Sequence, residues 1–328
     1  MILLCGIPSE PPLRLVIEAA GRLGVPYVLF NQREVQFADI HLEIKQGQLC
    51  GAIRIREIDW PLEGFSGVYV RLMDYRDLPE FKSRNGVPPD HKIKSQLFHG
   101  TLGQWLEMAD CLVMNRERAM SSNSSKPYQA QFIKRAGFRI PTTLITNDPE
   151  EVKSFLKTHG RVIYKSISSV RSIVQTLSDI KLDHLHKIRH LPTQFQEFVP
   201  GRDIRVHVVG NRVFATEIDS EAVDYRYARN DGHDVELIPI ELPEAIKTRC
   251  LTLSSLLDLP LCGIDLKRTP DDDYYCFEVN PSPAYSYYQE NTGQDIAAAI
   301  VMDLHGTNLK SREIRPEIGG GFNDCASC

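Results

Sequence analysis

The sequence predicts an α/β (α+β) fold, an open parallel layer at the N-terminus followed by a half built on antiparallel strands. Three observations carry that expectation: a strand–helix–strand opening, a run of small polar residues from Ser121 to Ser125, and a switch from helical spacing to alternating strands after residue 190.

Residues 2–7 read as an apolar strand, and Leu13, Val16, Ile17 and Ala20 give residues 12–23 a helical spacing that Gly24 ends. Val25 to Phe30 reads as the next strand, Gly67 to Leu72 as another, Gln96 to Ala109 as a helix and Cys111 to Asn115 as a further strand. The first turn carries Gly6-Ile7-Pro8-Ser9 in place of a Gly-x-Gly-x-x-Gly fingerprint, which argues against a nicotinamide-type dinucleotide site. Ser121 to Ser125 is the expected linker, irregular and exposed. Beyond it, Pro127 starts a helix that Gly137 ends, and Pro141 to Thr146 reads as a strand. Asp148-Pro149 then opens a helix ended by Gly160, and Arg161 to Ser166 reads as a strand. Thr193 to Val199, Ile204 to Val209 and Arg212 to Ile218 follow as strands, the last two joined by the two-residue turn Gly210-Asn211.

The chain has 328 residues, 42% hydrophobic and 25% charged, enough for about two packing units and a sizeable core. With 38 basic and 43 acidic residues the net charge is −5, and no Lys/Arg block is long enough to track a phosphate backbone, so nucleic acid is not an expected partner. The opening from Met1 to Pro12 lacks a basic region, and Gly6 and Pro8 break its apolar run before it reaches the roughly 7–15 residues of a signal peptide. No run approaches the roughly 18 apolar residues of a membrane helix, so a cytoplasmic protein without a membrane partner is expected. Cys5, Cys50, Cys111, Cys250, Cys262 and Cys276 are expected to be core thiols. Cys325 and Cys328 follow a triple glycine and read as part of a solvated tail. His184, His186 and His190 lie in a Lys/Arg-containing connector and are given no metal role.

The most informative stretch runs from Gly263 to Pro281, where two apolar runs flank a Pro/Asp turn in the manner of a β-hairpin. A turn centred between Asp271 and Asp272 sets Asp265 opposite Glu278, and the period of two returns Asn280 to the same face. Facing carboxylates repel and raise one another's pKa unless a cation lies between them. Two carboxylates and an amide oxygen are hard ligands suited to Mg²⁺, which keeps waters and borrows phosphate oxygens. A solvent-facing hairpin edge produces the same pattern. Upstream, Asp203, Arg205 and His207 alternate with Ile204, Val206 and Val208, so the polar side chains share a face that either lines a site or meets water.

From about Leu112 onward these residues resemble the ATP-grasp carboxylate–amine ligases, in particular the branch of RimK-like ribosomal-protein glutamate ligases and graspetide (microviridin-type) peptide ligases. The resemblance rests on ordered pieces: Asn123-Ser-Ser-Lys126-Pro-Tyr-Gln, Val162-Ile-Tyr-Lys165, Gln196-Glu-Phe-Val199, Asp203 with Arg205, Asp224-Tyr225-Arg226, Gly263-Ile-Asp265 and Phe277-Glu-Val-Asn-Pro281. It implies an ATP-grasp fold preceded by an N-terminal open α/β pre-ATP-grasp domain in residues 1–116. Residues 117–194 would form the central lid subdomain, 195–310 the C-terminal subdomain with the metal site, and 311–328 a flexible tail.

The same resemblance implies ATP and Mg²⁺ as cofactors and assigns roles to matching positions. Lys126 and Lys165 would neutralise the ATP phosphates. The strand of Gln196, Glu197, Phe198 and Val199 would hold the adenine, with backbone groups of Glu197 to Val199 reading its edge, and Asp203 would accept from the ribose hydroxyls. Asp265, Glu278 and Asn280 would hold magnesium, Arg205 would steady the transferring phosphoryl group and the oxyanion, and Arg226 would lie near the acceptor carboxylate. Glutamate ligases carry a glycine-rich loop over the phosphates. This chain has Ser166 to Ser172 there, which makes Ser168, Ser169 and Arg171 candidate phosphate contacts and is closer to the cyclase branch.

The implied activity is ATP-dependent C–N bond formation through an acyl phosphate, with small-molecule or peptide carboxylate and amine substrates as partners and a homodimer as a family-level expectation. A small-molecule kinase using the same cleft and a nucleotide-binding protein without turnover are the alternatives. Tyr285, Tyr287 and Tyr288 either wall the substrate pocket or pack at a loop base, and Arg71, Asp74 and Arg76 either contribute to substrate choice or face solvent.

Overall fold

The computed structural model describes residues 1–83, 86–165, 175–177, 182–219 and 236–306. The N-terminal layer is a parallel sheet in the order Tyr27–Asn31, Ile2–Gly6, Gly67–Arg71, Leu112–Met114. Ile2, Leu3, Leu4 and Cys5 are all buried, as a central parallel strand covered on both faces requires. Leu13, Val16 and Ala20 of the helix Pro11–Leu23 pack on one face together with Ala297 and Ile300 of the C-terminal helix Ile296–His305. Gly67 permits that second helix to lie close, since a Cβ there would stand 2.6 Å from the Leu304 carbonyl oxygen. The other face packs on Phe98, Leu102 and Trp105 of the helix Pro89–Met108.

Several expectations are corrected. The second long helix begins at Pro89, not Gln96, because a proline at its first position supplies a helical φ where the missing N–H has no partner to lose. An antiparallel sheet of Ala38–Lys45, Gln48–Ile55 and Ile58–Pro61 occupies a stretch that the sequence reading left unassigned. Ser121 to Ser125 is not an irregular, exposed linker. Ser121–Ser124 forms a 3₁₀ turn with Ser122 buried, and the Ser125 hydroxyl accepts from the Tyr128 N–H to cap the helix Lys126–Arg135. Cys5, Cys250, Cys262 and Cys276 are buried thiols, whereas Cys50 and Cys111 are only partly covered.

The middle of the chain is an antiparallel sheet in the order Gln175–Thr176, Val162–Lys165, Thr193–Glu197, Thr143–Thr146, packed around Val152, Val162, Leu185 and Phe195. Its third strand ends at Glu197, two residues short of the expected Val199 and just ahead of the Pro200-Gly201 bend, although the Phe198 N–H still donates in register to the Arg161 carbonyl. The C-terminal sheet is antiparallel, in the order Glu236–Ile240, Arg212–Asp219, Arg202–Val209, Leu261–Arg268, Tyr274–Asn280. Ile204, Val206, Val208, Ile264 and Leu266 on one face pack against Ile246 and Leu253 of the helix Glu244–Leu256. Asp265 faces Glu278 and Gly263 faces Asn280, as the sequence predicts. The turn is not where the spacing set it: beyond Asp265 the register shifts, Leu266 pairs with Cys276, and Phe277 is the extra residue of a β-bulge. Among the described residues no helix is long and apolar enough to cross a membrane.

Candidate active site

Strand alternation places Asp203, Arg205 and His207 on the face opposite Ile204, Val206 and Val208, beside their cross-strand partners Lys267, Asp265 and Gly263. Glu278 and Asn280 continue this face on the next strand. It is no solvated edge, because Arg205 is 6% exposed and His207 fully buried. Arg205 donates from Nη1 to Asp265 Oδ1 at 2.5 Å and from Nε to His207 Nε2 at 3.5 Å. Its guanidinium carbon lies 5.9 Å from the centre of the Tyr288 ring, on which the His207 ring also packs edge-on at 4.9 Å. Gly263 makes the room: a Cβ there would stand 2.2 Å from Arg205 Nη2.

Burial, reinforced by the adjacent Arg205 charge, holds His207 well below the ordinary histidine pKa. With Nε2 accepting from Arg205, the ring is neutral and carries its proton on Nδ1, a buried atom with no partner among the described residues. The unfolded chain therefore binds more protons than the folded one below the ordinary value of about 6.5. Stability due to this group is complete above that pH and is lost as the pH falls through it. His207→Phe is expected to flatten the fall in urea midpoint between about pH 7 and pH 5. An unchanged profile would assign the acid sensitivity to another group.

Lys126 Nζ stands 3.4 Å from Glu278 Oε2. Each of the two facing carboxylates thus has its own cation, Asp265 from Arg205 and Glu278 from Lys126, which offsets their repulsion. Asn280 Oδ1 accepts from the Ser282 N–H at 2.9 Å and retains a second lone pair. Among the described residues no cluster of three His, Cys, Asp or Glu side chains forms a closed metal cage. The donor set of two carboxylates and one amide oxygen fits a hard cation that completes its shell from water and phosphate.

Buried amides hold this hairpin in place. Gln129 bonds both main-chain groups of Val279, accepting from its N–H at 2.8 Å and donating to its carbonyl at 2.7 Å. Asn115 donates to the Leu261 and Pro281 carbonyls and accepts from the Leu261 N–H, so one side chain joins the two ends of the hairpin. Arg71 reaches the Ser282 hydroxyl from the N-terminal sheet. Tyr285 is fully buried and donates to the Pro12 carbonyl at 2.6 Å, which makes it a loop-base residue, while Tyr288 packs against Arg205 and His207.

A second cluster surrounds Phe198. The Arg161 guanidinium lies 3.6 Å from its ring centre, and Lys267 Nζ lies 5.9 Å from that centre and 3.2 Å from Asp203 Oδ1. The Glu197 and Phe198 N–H groups donate to the Thr142 and Arg161 carbonyls. The Glu197 carboxylate accepts from the Thr142 N–H and lies 3.4 Å from His159 Nδ1. Gln194 and Gln196 lie on the face opposite Phe195. Gln196 donates to Thr143 Oγ1, and both glutamines keep a buried Oε1 with no partner among the described residues.

Ser168, Ser169, Arg171 and Arg226 lie outside the described residues, as do Cys325 and Cys328; of Lys165 only the main chain is described, paired with Gln194. The sequence reading missed Lys267, Arg161, Asn115 and Gln129. Lys267 was within reach, since the period of two puts it on the face of Asp265. No sequence signal marks Asn115, and Gln129 closes the Asn123-to-Gln129 piece of the resemblance without a role assigned to it.

Two antiparallel sheets, one carrying an arginine–aspartate pair, a lysine–glutamate pair and an amide oxygen on one face, the other carrying glutamine oxygens unpartnered among the described residues, have the architecture of an ATP-grasp fold. The RimK-like ATP-grasp domain family matches residues 123–304, and the chain belongs to that family of ATP-dependent, ADP-forming carboxylate–amine ligases. A probable alpha-L-glutamate ligase of Teredinibacter turnerae is 27% identical over 216 residues, covering 62% of this chain and 71% of that one. Two solved structures share the fold over nearly the whole chain. One is a Chryseobacterium gregarium RiPP-associated ATP-grasp ligase in complex with ADP and a leader and core peptide, with a TM-score of 0.76 and 24% identity over 92% of this chain and 96% of that one. The other is the macrocyclase MdnC of Microcystis aeruginosa bound with precursor peptide MdnA, with a TM-score of 0.73 and 23% identity over 93% and 99%.

Proposed function

We propose that this ligase modifies a peptide, activating a side-chain or terminal carboxylate as an acyl phosphate for attack by an amine. The observation that carries the reading is the single sheet face on which Arg205, Asp265, Glu278 and Asn280 meet, with Lys126 bridging to Glu278. ATP would lie between residues 117–194 and 195–310, with residues 1–116 contributing to substrate choice. The peptide substrate is favoured by likeness to structures solved with leader, core or precursor peptides.

Asp265, Glu278 and Asn280 would hold Mg²⁺, which when bound supplies positive charge to the phosphoryl oxygens. Lys126 and Lys165 would offset the remaining phosphate charge, with Ser168 and Arg171 as further phosphate contacts. Gln196 and the main chain from Glu197 through Phe198 to Val199 would line the adenine, and Asp203 would accept from the ribose. Arg205, held between Asp265, His207 and Tyr288, donates to oxygen as charge develops there, and needs no rearrangement to do so. Arg226 would sit near the substrate carboxylate. The carboxylate oxygen takes the γ-phosphoryl group as ADP leaves, and the amine nitrogen then displaces phosphate with loss of a proton. No protein nucleophile is needed, and positioning supplies much of the rate.

The test is ADP release across a panel of peptides and amino acids, followed by mass analysis of the product. Equal amounts of ADP and free phosphate, with a product lighter by one water, are expected for ligation within a peptide. A product that keeps the phosphate would replace the ligase reading with that of a kinase.

A further inference from the structure

The N-terminal sheet runs from its Ile2–Gly6 strand to Tyr27–Asn31 on one side and later to Gly67–Arg71 on the other. The carboxyl ends of Ile2–Gly6 and Gly67–Arg71 therefore flank a topological switch point, the usual ligand crevice of an open α/β sheet. A cavity of about 440 Å³ lies there, walled by the apolar Leu72 and Met73 and by Ser9, Glu10, Arg71 and Ser282. Ser282 is also the residue whose N–H binds Asn280 Oδ1, so the cavity adjoins the metal-binding loop.

The hydrogen-bonding capacity of this cavity selects a donor. Arg71 commits four of its five N–H groups within the fold: Nε and Nη2 donate to Glu10 Oε1, and Nη1 donates to the Ser282 hydroxyl and the Pro283 carbonyl. The helix that opens here, Pro11–Leu23, starts with two prolines, so its first two positions lack the backbone N–H groups that receive anions at such helix starts. Glu10 gives Arg71 only Oε1, and its Oε2 has no partner among the described residues. An anion would find one remaining N–H, on an arginine whose charge Glu10 already offsets and whose side chain is only 10% exposed. An ammonium would bind Oε2 and leave the pair intact.

We propose that this cavity seats the amine-bearing acceptor of the reaction: a primary ammonium on an apolar stem, with Glu10 Oε2 and the Ser9 and Ser282 hydroxyls on the nitrogen and Leu72 and Met73 along the stem, Glu10 taking the proton that the ammonium sheds before the free amine attacks. The role as acceptor site rests on the ligase reading above; the binding chemistry does not.

The experiment titrates the isotope-labelled full chain with Nα-acetyl-lysine amide, its norleucine analogue without the ammonium, and Nα-acetyl-glutamate amide, following amide shifts at Ile7, Ser9, Glu10 and residues 71–73. The lysine probe is expected to saturate these shifts and the norleucine probe to bind about tenfold more weakly, the loss of one charge-assisted hydrogen bond. Glu10→Gln is expected to weaken the lysine probe by a similar factor. Ser9→Leu narrows the cavity from an exposed position without touching the Glu10–Arg71 pair, and is expected to do the same. Preference for the glutamate probe, indifference of the lysine probe to both substitutions, or no binding of any probe would overturn the proposal. Stabilisation of the native chain by Mg²⁺ and a non-hydrolysable ATP analogue is read in parallel. If that stabilisation is absent the ligase reading fails, and the cavity stands or falls on the probes alone.

Discussion

Replacing Gly263 with alanine is expected to lower ligase turnover by about 10²–10³-fold, the loss seen when a preorganised oxyanion donor is removed. The added Cβ would stand 2.2 Å from Nη2, 2.6 Å from Cζ and 2.9 Å from Nε of Arg205. Arg205 cannot slide aside within its plane, because Asp265, His207 and Tyr288 surround it. The guanidinium must leave, and Asp265 loses its cation at the same time. Gly263 lies in a regular strand without a positive φ, so alanine strains only the packing, at about 1–3 kcal/mol. That is a fraction of the roughly 5–15 kcal/mol that folds a domain. ADP release and the urea midpoint, measured on the same preparation, separate the two effects. Native turnover in a folded Gly263→Ala would show that Arg205 does not act where the geometry puts it.

Asn115→Leu is expected to cost about 3–5 kcal/mol of stability. Leucine keeps the branching and heavy-atom count of asparagine but is bulkier, so some crowding adds to the loss of the amide. Asn115 is 3% exposed, and its removal leaves the Leu261 N–H and the Leu261 and Pro281 carbonyls without this partner in a dry interior. Each orphaned group costs about 1–3 kcal/mol. The same bonds fix both ends of the hairpin bearing Asp265 and Glu278, so nucleotide affinity should fall along with the unfolding midpoint. Urea unfolding checks this, and a loss below about 1 kcal/mol would mean that water replaces the amide.

The facing carboxylates were legible because a hairpin has a period of two and its turn carried Pro and Asp. The match between Asp265 and Glu278 nevertheless needed something the spacing does not contain. The outer ladder centres on Asp271, and only the bulge at Phe277 brings the inner pairs back into line. The bonding roles of Asn115 and Gln129 were illegible for a different reason. Each bonds main chain about 150 positions away, at Leu261 and Val279, and such contacts leave no periodic trace. Burial of Arg205 and His207 was hidden too, because alternation identifies a face without saying whether it meets water or Tyr288.

Asp265, Glu278 and Asn280 are proposed to form a nucleotide-linked metal site, and thermal unfolding tests that site without a known substrate. A ligand that binds only the folded state stabilises it by about 2.7 kcal/mol at a hundredfold excess over its Kd. The native chain is expected to gain a rise in unfolding temperature from a non-hydrolysable ATP analogue that grows when Mg²⁺ is added, and Glu278→Gln to lose the Mg²⁺-dependent part. An equal Mg²⁺-dependent rise in Glu278→Gln, or no rise in the native chain at saturating nucleotide, would contradict the account.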